Sequence, residues 1–189
     1  MPHALRGATM QRGESPCGIH MNREDMSMEY IIRKMSADEY PLLNDFLYEA
    51  IFIPDGAEPP PRNIIFSPEL WIYVSHFGEL DGDFALAAEI EGKIVGAVWA
   101  RIINDYGHID SQTPSLAISL YPEYRGYGIG TTMMEEILAL LKSHGYSRVS
   151  LSVQKANYAA QMYRKIGFKI AEEKDEDLIM LWQEADIDV

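Results

Sequence analysis

Hydrophobic residues along this chain follow two periods that alternate with each other. Short apolar runs, several alternating residue by residue, predict β-strands, and apolar residues spaced three and four apart predict helices with one buried face. The first pattern predicts strands at 30–33, 84–90, 94–102, 116–120, 149–153, 168–171 and 178–182. The second predicts helices at 37–52, 68–76, 129–143 and 158–166. The order βαα, βββ, α, β, α, ββ predicts an α/β domain, in which about four helices flank a mixed, mostly antiparallel central sheet of about 6–7 strands.

Capping and turn residues support several of these limits. Ser36, with Glu39 three residues later, has the spacing of a capping box at a helix start. The proline-rich stretch 54–61 cannot continue a helix and predicts an exposed loop. Ser67 precedes a proline and so predicts the start of the next helix. The link 91–93 is short and contains glycine, which favours an antiparallel hairpin between the strands on either side.

The composition is that of a globular protein with an acidic surface. The 189 residues are 47% hydrophobic and carry a formal net charge of -13, which argues against nucleic acid as the main partner. No apolar run approaches the ~18 to 20 residues that a membrane helix requires. Cys17 is the only cysteine, so neither an intrachain disulfide nor a cysteine zinc cluster can form. We therefore expect a protein of the reducing cytoplasm.

The chain divides into one domain and two end segments. Residues 1–28 mix Arg, Gly, Ser, Pro and Met without a period and lack the apolar core of a signal peptide. We predict a poorly ordered N-terminal extension at 1–28, a domain at 29–183 and an acidic C-terminal tail at 184–189.

Three glycines stand at alternate positions before the predicted helix 129–143, namely Gly126, Gly128 and Gly130. The first turn of a helix carries unpaired N–H groups and the positive end of the helix dipole, so a glycine loop there lets a phosphate approach the backbone. Arg125 would add a positive charge beside such a site. The alternative is that the glycines only permit a tight turn between strand and helix, and the pattern leaves both interpretations open.

Two common phosphate-binding motifs do not fit this loop. A nucleoside-triphosphate loop ends in Gly-Lys-Ser/Thr, whereas Gly130 is followed directly by Thr131. A dinucleotide loop has its third glycine three positions after the second, where this chain again has Thr131, and residues 152–155 supply no acid for a ribose.

Two segments together resemble the Gcn5-related N-acetyltransferase (GNAT) family. The sequence RGYGIG at 125–130 resembles its Arg/Gln-x-x-Gly-x-Gly/Ala signature. The sequences NYAA at 157–160 and YRKIGF at 163–168 resemble its following Asn-x-x-Ala … Tyr-x-Lys-x-Gly-Phe helix. The resemblance covers roughly 29–183 and implies a GNAT-like fold, splayed by a bulge between the strands at 115–121 and 148–153. It also implies acetyl-coenzyme A as co-substrate and no metal.

The resemblance implies where the co-substrate binds. The pyrophosphate would lie on the amides of the loop 126–131, and the pantetheine arm would pair like an extra strand with 118–120. The predicted cofactor-binding residues are Ile118, Ser119, Leu120, Arg125, Gly126, Tyr127, Gly128, Ile129, Gly130, Thr131, Asn157 and Tyr163.

The implied reaction moves an acetyl group to a primary amine by direct attack in a ternary complex, and it needs three catalytic groups. A backbone N–H near Leu120 is predicted to hold the thioester oxygen, and Tyr163 is predicted to protonate the leaving thiolate. His108 is the predicted base, with Asp110 as its alternative. Tyr163 also lies on the apolar stripe of its helix, so a core role for this residue stays open.

The acceptor is predicted to be a small-molecule or peptide amine. In the resembled fold its pocket would be walled by 53–66 and 104–113, where Asp55, Glu58, Asp105 and Asp110 favour a cationic amine or simply add to an acidic surface. We expect no nucleic acid and no membrane as partners, and a homodimer is the alternative to a monomer. A non-catalytic acyl-coenzyme A-binding regulatory domain is the alternative function.

Overall fold

The computed structural model describes residues 29–184. The predicted extension 1–28 and residues 185–189 of the predicted tail lie outside the described residues. Glu184 still belongs to the folded domain, since its N–H donates to the carbonyl oxygen of Ser147 at 2.9 Å and its carboxylate pairs with Lys142.

Seven strands form one mixed sheet in the order β1-β2-β3-β4-β5-β7-β6. The strands are β1 (Ile31–Lys34), β2 (Phe84–Ile90), β3 (Lys93–Arg101), β4 (Ser115–Leu120), β5 (Arg148–Gln154), β6 (Lys169–Glu173) and β7 (Asp177–Gln183). Every neighbouring pair is antiparallel except β4 and β5, which run parallel. The predicted strands, the meander β2-β3-β4 and the closing hairpin β6-β7 are therefore confirmed.

Four α-helices flank this sheet, as predicted. They are α1 (Leu43–Ala50), α2 (Pro68–Trp71), α3 (Ile129–Ser143) and α4 (Ala159–Ile166), with 3-10 helices at Ala37–Leu42, Arg62–Phe66 and Pro122–Tyr124. The single helix predicted at 37–52 is instead a 3-10 helix followed by α1. Pro41 lies inside the first part and lacks the N–H group that an α-helix would use there.

The helix predicted at 68–76 ends after about one turn, for a reason that lies on β3. Arg101 donates from Nη1 to the carbonyl oxygens of Ile72 and Ser75, at 3.0 and 2.8 Å. Trp99 donates from Nε1 to the carbonyl oxygen of Tyr73 at 3.1 Å. Side chains of β3 thus satisfy these three carbonyl groups. The segment after Trp71 can therefore leave the α-helical conformation without losing hydrogen bonds at these positions.

Apolar side chains pack on both faces of the sheet. One core lies under α3 and α4 and includes Met133, Met134 and Ile137, while the other lies under α1 and includes Phe46 and Trp99. The central strand β3 contributes to both cores and is almost wholly buried. This burial fixes the position of the neighbouring strand β4.

The sheet opens between β4 and β5. The strands share one registered pair, Ser115 with Ser150, and the N–H of Ser150 donates to the carbonyl oxygen of Pro114 at 2.9 Å. Beyond this pair the two strands diverge, which confirms the predicted splay.

The prediction that a bulge in β4 causes the splay is wrong. Its pairing with β3 runs without a shift from Gly96–Leu120 to Arg101–Ser115. Instead, Gly107 from the loop before β4 lies directly on the β5 backbone. A Cβ at this position would be 3.1 Å from the carbonyl carbon of Leu151 and from the nitrogen of Ser152. The loop therefore packs tightly on β5 where the strands separate.

Candidate active site

The backbone of β4 presents unpaired amide groups to the opening. The N–H of Tyr121 donates to the carbonyl oxygen of Val95 at 3.0 Å. Because antiparallel strands direct alternate residues toward each other, the backbone of Ser119 also faces β3. The N–H groups of Ile118 and Leu120 therefore point toward β5, which does not pair with them. Ile118 and Leu120, and not Ser119, offer free backbone donors at the split.

The glycine loop combines two properties that the sequence left as alternatives. Gly126 and Gly128 have φ angles of 86° and 82°, in the left-handed region that favours glycine, so the turn itself requires them. A Cβ at either position would meet no atom within 4 Å, so open space also lies beside the loop. Gly130 has neither property, since its Cβ would make an ordinary contact with Leu120 at 3.6 Å.

The first amide groups of α3 border this open space. The N–H groups of Thr131 and Thr132 donate to the carbonyl oxygen of Gly128 at 3.0 and 3.2 Å. The N–H groups of Ile129 and Gly130 have no intrahelical acceptor, and no side chain caps this end of the helix. Two backbone donors and the helix dipole are thus available to an anion.

Arg125 ties the loop to its neighbours. Its Nε donates to the carbonyl oxygen of Leu120 at 2.8 Å, and its Nη2 lies 3.2 Å from both the carbonyl oxygen and Oε2 of Glu49. Its charge is therefore shared with Glu49. The guanidinium group holds α1, the end of β4 and the loop in one arrangement.

A cleft of about 1000 Å³ runs from the glycine loop into the split between β4 and β5. It contains most of the predicted binding residues, namely Ile118, Ser119, Leu120, Arg125, Gly126, Gly128, Gly130, Thr131, Asn157 and Tyr163. Asn157 also caps α4 as predicted, because its Oδ1 accepts a hydrogen bond from the N–H of Ala159 at 2.9 Å. The two motifs on which the resemblance rests therefore meet at one cleft.

Tyr163 belongs both to the core and to the cleft. It is 8% exposed, and its ring packs against Phe168. Its hydroxyl group makes no hydrogen bond with another of the residues 29–184, and the residue lines the cleft. Burial, and secondarily Tyr158, raises the pKa of the Tyr163 hydroxyl group, which stays protonated at neutral pH as a proton donor must.

Several predicted residues are not directed into the cleft. Tyr127 is partly exposed and Ile129 is fully buried, so Ile129 can contribute only its amide. The hydroxyl of Ser119 donates to the carbonyl oxygen of Phe46 at 2.6 Å. His108 is exposed outside the cleft lining, with Nδ1 2.9 Å from the carbonyl oxygen of Ile103. The geometry does not support His108 as a base in direct contact with an acceptor.

The alternative base, Asp110, is occupied by other contacts. Its carboxylate accepts hydrogen bonds from the N–H of Gln112, from the hydroxyl of Thr113 and from Arg148, and these contacts lower its pKa. Of the four predicted acidic wall residues, only Asp55 lines the cleft. Glu49 and Asp177 line it too, although no motif in the sequence marks either residue.

The sequence also missed a hydrogen-bonded group at the closed end of the split. The carboxylate of Asp105 accepts hydrogen bonds from the hydroxyl groups of Tyr73, at 2.5 Å, and Ser115, at 2.6 Å. Tyr73 lines the cleft together with Tyr106. Burial, followed by the charge of Asp105, holds the pKa of Tyr73 above its usual value. In the sequence, Asp105 is one of several acidic loop residues and Tyr73 lies within an apolar helical pattern, so no motif marks either residue.

Between residues 29 and 184, no group of three or more His, Cys, Asp or Glu side chains is placed to bind a metal ion. None of the helices in this range has the length and apolar character that a membrane crossing requires.

Comparison with known families decides what this cleft belongs to. Residues 46–168 match the model of the Acetyltransferase (GNAT) family, and they include the second half of α1, β2 to β5, the glycine loop, α3 and α4. The chain belongs to the GNAT family. Membership confirms the predicted enzyme class, an acetyltransferase whose co-substrate is acetyl-coenzyme A.

Curated relatives carry names from the same class. A Bacillus subtilis protein named as a candidate ribosomal protein bS18-alanine N-acetyltransferase is 30% identical over 123 residues, which cover 59% of this GNAT chain and 78% of the relative. The N-alpha-acetyltransferase of Saccharolobus solfataricus is 31% identical over 108 residues, 52% of this chain and 64% of the relative. Human N-acetyltransferase 8B is 31% identical over 83 residues, 43% of this chain, and the match spans only 37% of the human protein.

A solved GNAT structure has the same architecture. The PaiA N-acetyltransferase of Thermoplasma acidophilum, determined in complex with coenzyme A, superimposes with a TM-score of 0.62 at 23% identity. The superposition covers 82% of this chain and 99% of that one. It confirms the predicted GNAT-like fold.

Proposed function

We propose that this protein transfers the acetyl group of acetyl-coenzyme A to a primary amine by direct attack within a ternary complex. The observation that carries the proposal is the split in the sheet, where the free N–H groups of Ile118 and Leu120 share one cleft with the hydroxyl group of Tyr163. The pantetheine arm contains amide groups, so it fits an opening lined by unpaired strand donors.

The pyrophosphate would bind at the start of α3. The free N–H groups of Ile129 and Gly130, the helix dipole and the open space beside Gly126 and Gly128 all favour an anion there. Arg125 would act mainly by holding the loop in shape, because Glu49 shares its charge. The residues present fit the group that the family binds.

The chemistry would use two groups of this chain, a backbone N–H of β4 and the hydroxyl of Tyr163. A neutral amine attacks the thioester carbonyl carbon, and the charge that develops on the oxygen is held by a free N–H of β4, that of Ile118 or that of Leu120. The thiolate then leaves, and Tyr163, protonated at neutral pH, donates to it. Family membership and the hydroxyl group in the cleft favour this enzyme, and nothing in the described residues favours the non-catalytic alternative.

The α-amine of a polypeptide is the first acceptor to test. Two relatives, from Bacillus subtilis and Saccharolobus solfataricus, are named for ribosomal-protein alanine and for N-alpha acetylation. Asp55 and Asp177 line the cleft and favour a cationic amine by steering. A small-molecule amine remains the second acceptor class in the panel.

Thiol release from acetyl-coenzyme A tests the proposal. The panel contains a peptide with a free N-terminal alanine, the same peptide with a blocked N-terminus and one lysine, a polyamine and free amino acids. We expect thiol release only with a free primary amine, together with a product heavier by one acetyl group. If acetyl-coenzyme A binds in calorimetry but no amine releases thiol, the non-catalytic alternative replaces the enzyme.

Location and assembly belong to the same proposal. A reducing cytoplasm is supported by the single cysteine, Cys17. Light scattering after size-exclusion chromatography would distinguish a monomer from a homodimer.

A further inference from the structure

A short chain of hydrogen bonds ends at the closed end of the cleft. Asp105 accepts one bond from the hydroxyl of Tyr73 at 2.5 Å and another from the hydroxyl of Ser115 at 2.6 Å. Ser115 also forms the single registered pair between β4 and β5, with Ser150. Tyr73 lines the cleft, so the chain connects the cleft to a carboxylate beside the point where the strands meet.

Two buried side chains of β3 hold the backbone at and around Tyr73 in place. Trp99, 1% exposed, donates to the carbonyl oxygen of Tyr73 at 3.1 Å. Arg101, 4% exposed, donates to the carbonyl oxygens on either side, those of Ile72 and Ser75, and is itself held by the buried carboxylate of Asp83. A side chain held at both its backbone and its hydroxyl is preorganised, as a group that meets a reacting atom must be.

We propose that Tyr73 contacts the acceptor amine and passes the proton of that amine to Asp105. This assignment rests on the acetyl transfer proposed above and supplies the base that His108 does not provide. Tyr73 is then a catalytic residue, and Asp105, which acts through it, is a positioning residue and the final proton acceptor.

The proton balance of the step is complete. The amine nitrogen bonds to the thioester carbonyl carbon while one carbonyl electron pair moves to the oxygen. The nitrogen, now positively charged, gives a proton to Oη of Tyr73 as Tyr73 gives its own to Oδ2 of Asp105. The pair on oxygen re-forms the carbonyl, the C–S bond breaks, and the sulfur takes a proton from Tyr163. Exchange with solvent then returns the proton from Asp105 and restores Tyr163.

After burial, three ionisable groups raise the pKa of the Tyr73 hydroxyl, namely Asp105, Tyr106 and Asp177, and of these Asp105 is in contact with it. Together with burial they hold the pKa of Tyr73 high, so its hydrogen stays on the bond to Asp105 and its oxygen can accept from an amine. Asp177 is the competing base, because it lines the cleft directly. Its carboxylate makes no hydrogen bond to Tyr73 among the described residues, so it adds negative potential without completing the chain.

Single-turnover rates of two variants test the assignment, with the amine that the acceptor panel identifies. In Tyr73→Phe and Asp105→Asn we expect the rate of acetyl transfer to fall by a factor on the order of 10², with an unchanged KM for acetyl-coenzyme A. Tyr146→Phe is the matched control, because its hydroxyl lies near Gly82 outside the cleft, and its rate should equal that of the wild type.

Rescue by a dissolved base separates proton transfer from packing. Rising imidazole should restore transfer in Tyr73→Phe, because imidazole takes the proton that Tyr73 no longer accepts. A purely structural defect would lower the melting temperature and show no rescue. The assignment is overturned if Tyr73→Phe stays within about threefold of wild type, or if Asp177→Asn loses the rate while Asp105→Asn keeps it. A wild-type protein that acetylates no amine would overturn the proposed function itself, and this inference with it.

Discussion

At Gly128, the effect of a charge can be separated from the effect of backbone strain. The residue has a φ of 82°, a conformation that Asp and Asn tolerate better than other side chains. Gly128→Asp and Gly128→Asn therefore carry similar strain and differ mainly in one negative charge. We expect the Asp variant to bind acetyl-coenzyme A at least about tenfold more weakly than the Asn variant, or roughly 1.4 kcal/mol, as measured by calorimetric titration.

Equal affinities for the two Gly128 variants would contradict a diphosphate at this loop. A circular dichroism spectrum of each variant serves as the control for folding. Because open space lies beside Gly128, a clash with protein atoms would not explain a difference in affinity between the two variants.

At Tyr163, removal of one hydroxyl separates a catalytic role from a packing role. If Tyr163 protonates the thiolate, Tyr163→Phe should lower the turnover number by a factor on the order of 10² or more, with little change in melting temperature or acetyl-coenzyme A affinity. The hydroxyl makes no hydrogen bond within residues 29–184, so its loss should cost the fold little. A rate within about threefold of wild type, measured where chemistry limits turnover, would show that Tyr163 has a packing role and not a catalytic one.

Residue positions that depend on local motifs could be predicted, and those that depend on distant contacts could not. Asn157 and the glycines of the loop were found from their spacing because neighbouring residues determine the turn and the cap. Tyr73 and Asp105 come together only because Trp99 and Arg101 hold the chain after α2 against β3. The spacing of residues along the sequence does not indicate that contact.

Among the elements, β4 depends on close approach to β3 at Gly96. A Cβ on Gly96 would lie 2.5 Å from Cδ2 of Leu120 and 2.9 Å from the carbonyl oxygen of Ser119, so Gly96→Ala must displace the end of β4. We expect a loss of stability of about 1–3 kcal/mol and a fall in the transfer rate by about tenfold or more, because the N–H of Leu120 moves. Thermal melting and single-turnover kinetics measure the two effects.

Gly82→Ala is the matched control for Gly96→Ala. Its Cβ would meet only side-chain atoms, of which the nearest is the Tyr146 hydroxyl at 3.4 Å, and it lies outside the cleft. Gly82→Ala should therefore keep the wild-type rate. A wild-type rate in Gly96→Ala would mean that the position of Leu120 does not limit the reaction.

The first and last residues of a helix or strand could be predicted from the sequence where local hydrogen bonds and stop signals determine them. The limits of α3 and β2 were predicted correctly because both have clear periods and clear stop signals. The helix predicted at 37–52 was interrupted by Pro41, a signal that was present in the sequence but outweighed by the apolar spacing. The bulge expected in β4 came from the family resemblance alone, and the regular register of this strand overrules it.

For the whole molecule, acetyl-coenzyme A should act as a ligand that stabilises the folded state. At a free concentration 100 times the Kd, a ligand that binds only the native protein adds about 2.7 kcal/mol to the free energy of unfolding. For a domain of this size that corresponds to a rise in Tm of roughly 5–10 °C. Thermal melting over a series of acetyl-coenzyme A concentrations measures the rise, and Gly128→Asp should show less of it at the same concentrations. No rise at any concentration would contradict the binding site.

The split gives the sheet two internal edges in addition to its outer edges at β1 and β6. Unpaired donors on an outer edge are open to a strand of any other chain, which makes such edges prone to aggregation. The free N–H groups of β4 lie instead on the fourth of seven strands, in a cleft closed at one end by the Ser115–Ser150 pair and by Gly107 packed on β5. A slender linear ligand can reach these donors through the mouth of the cleft, whereas a second folded sheet cannot. If the co-substrate binds along β4 as proposed, the split keeps a strand edge available to it and shields that edge from association with other copies of the protein.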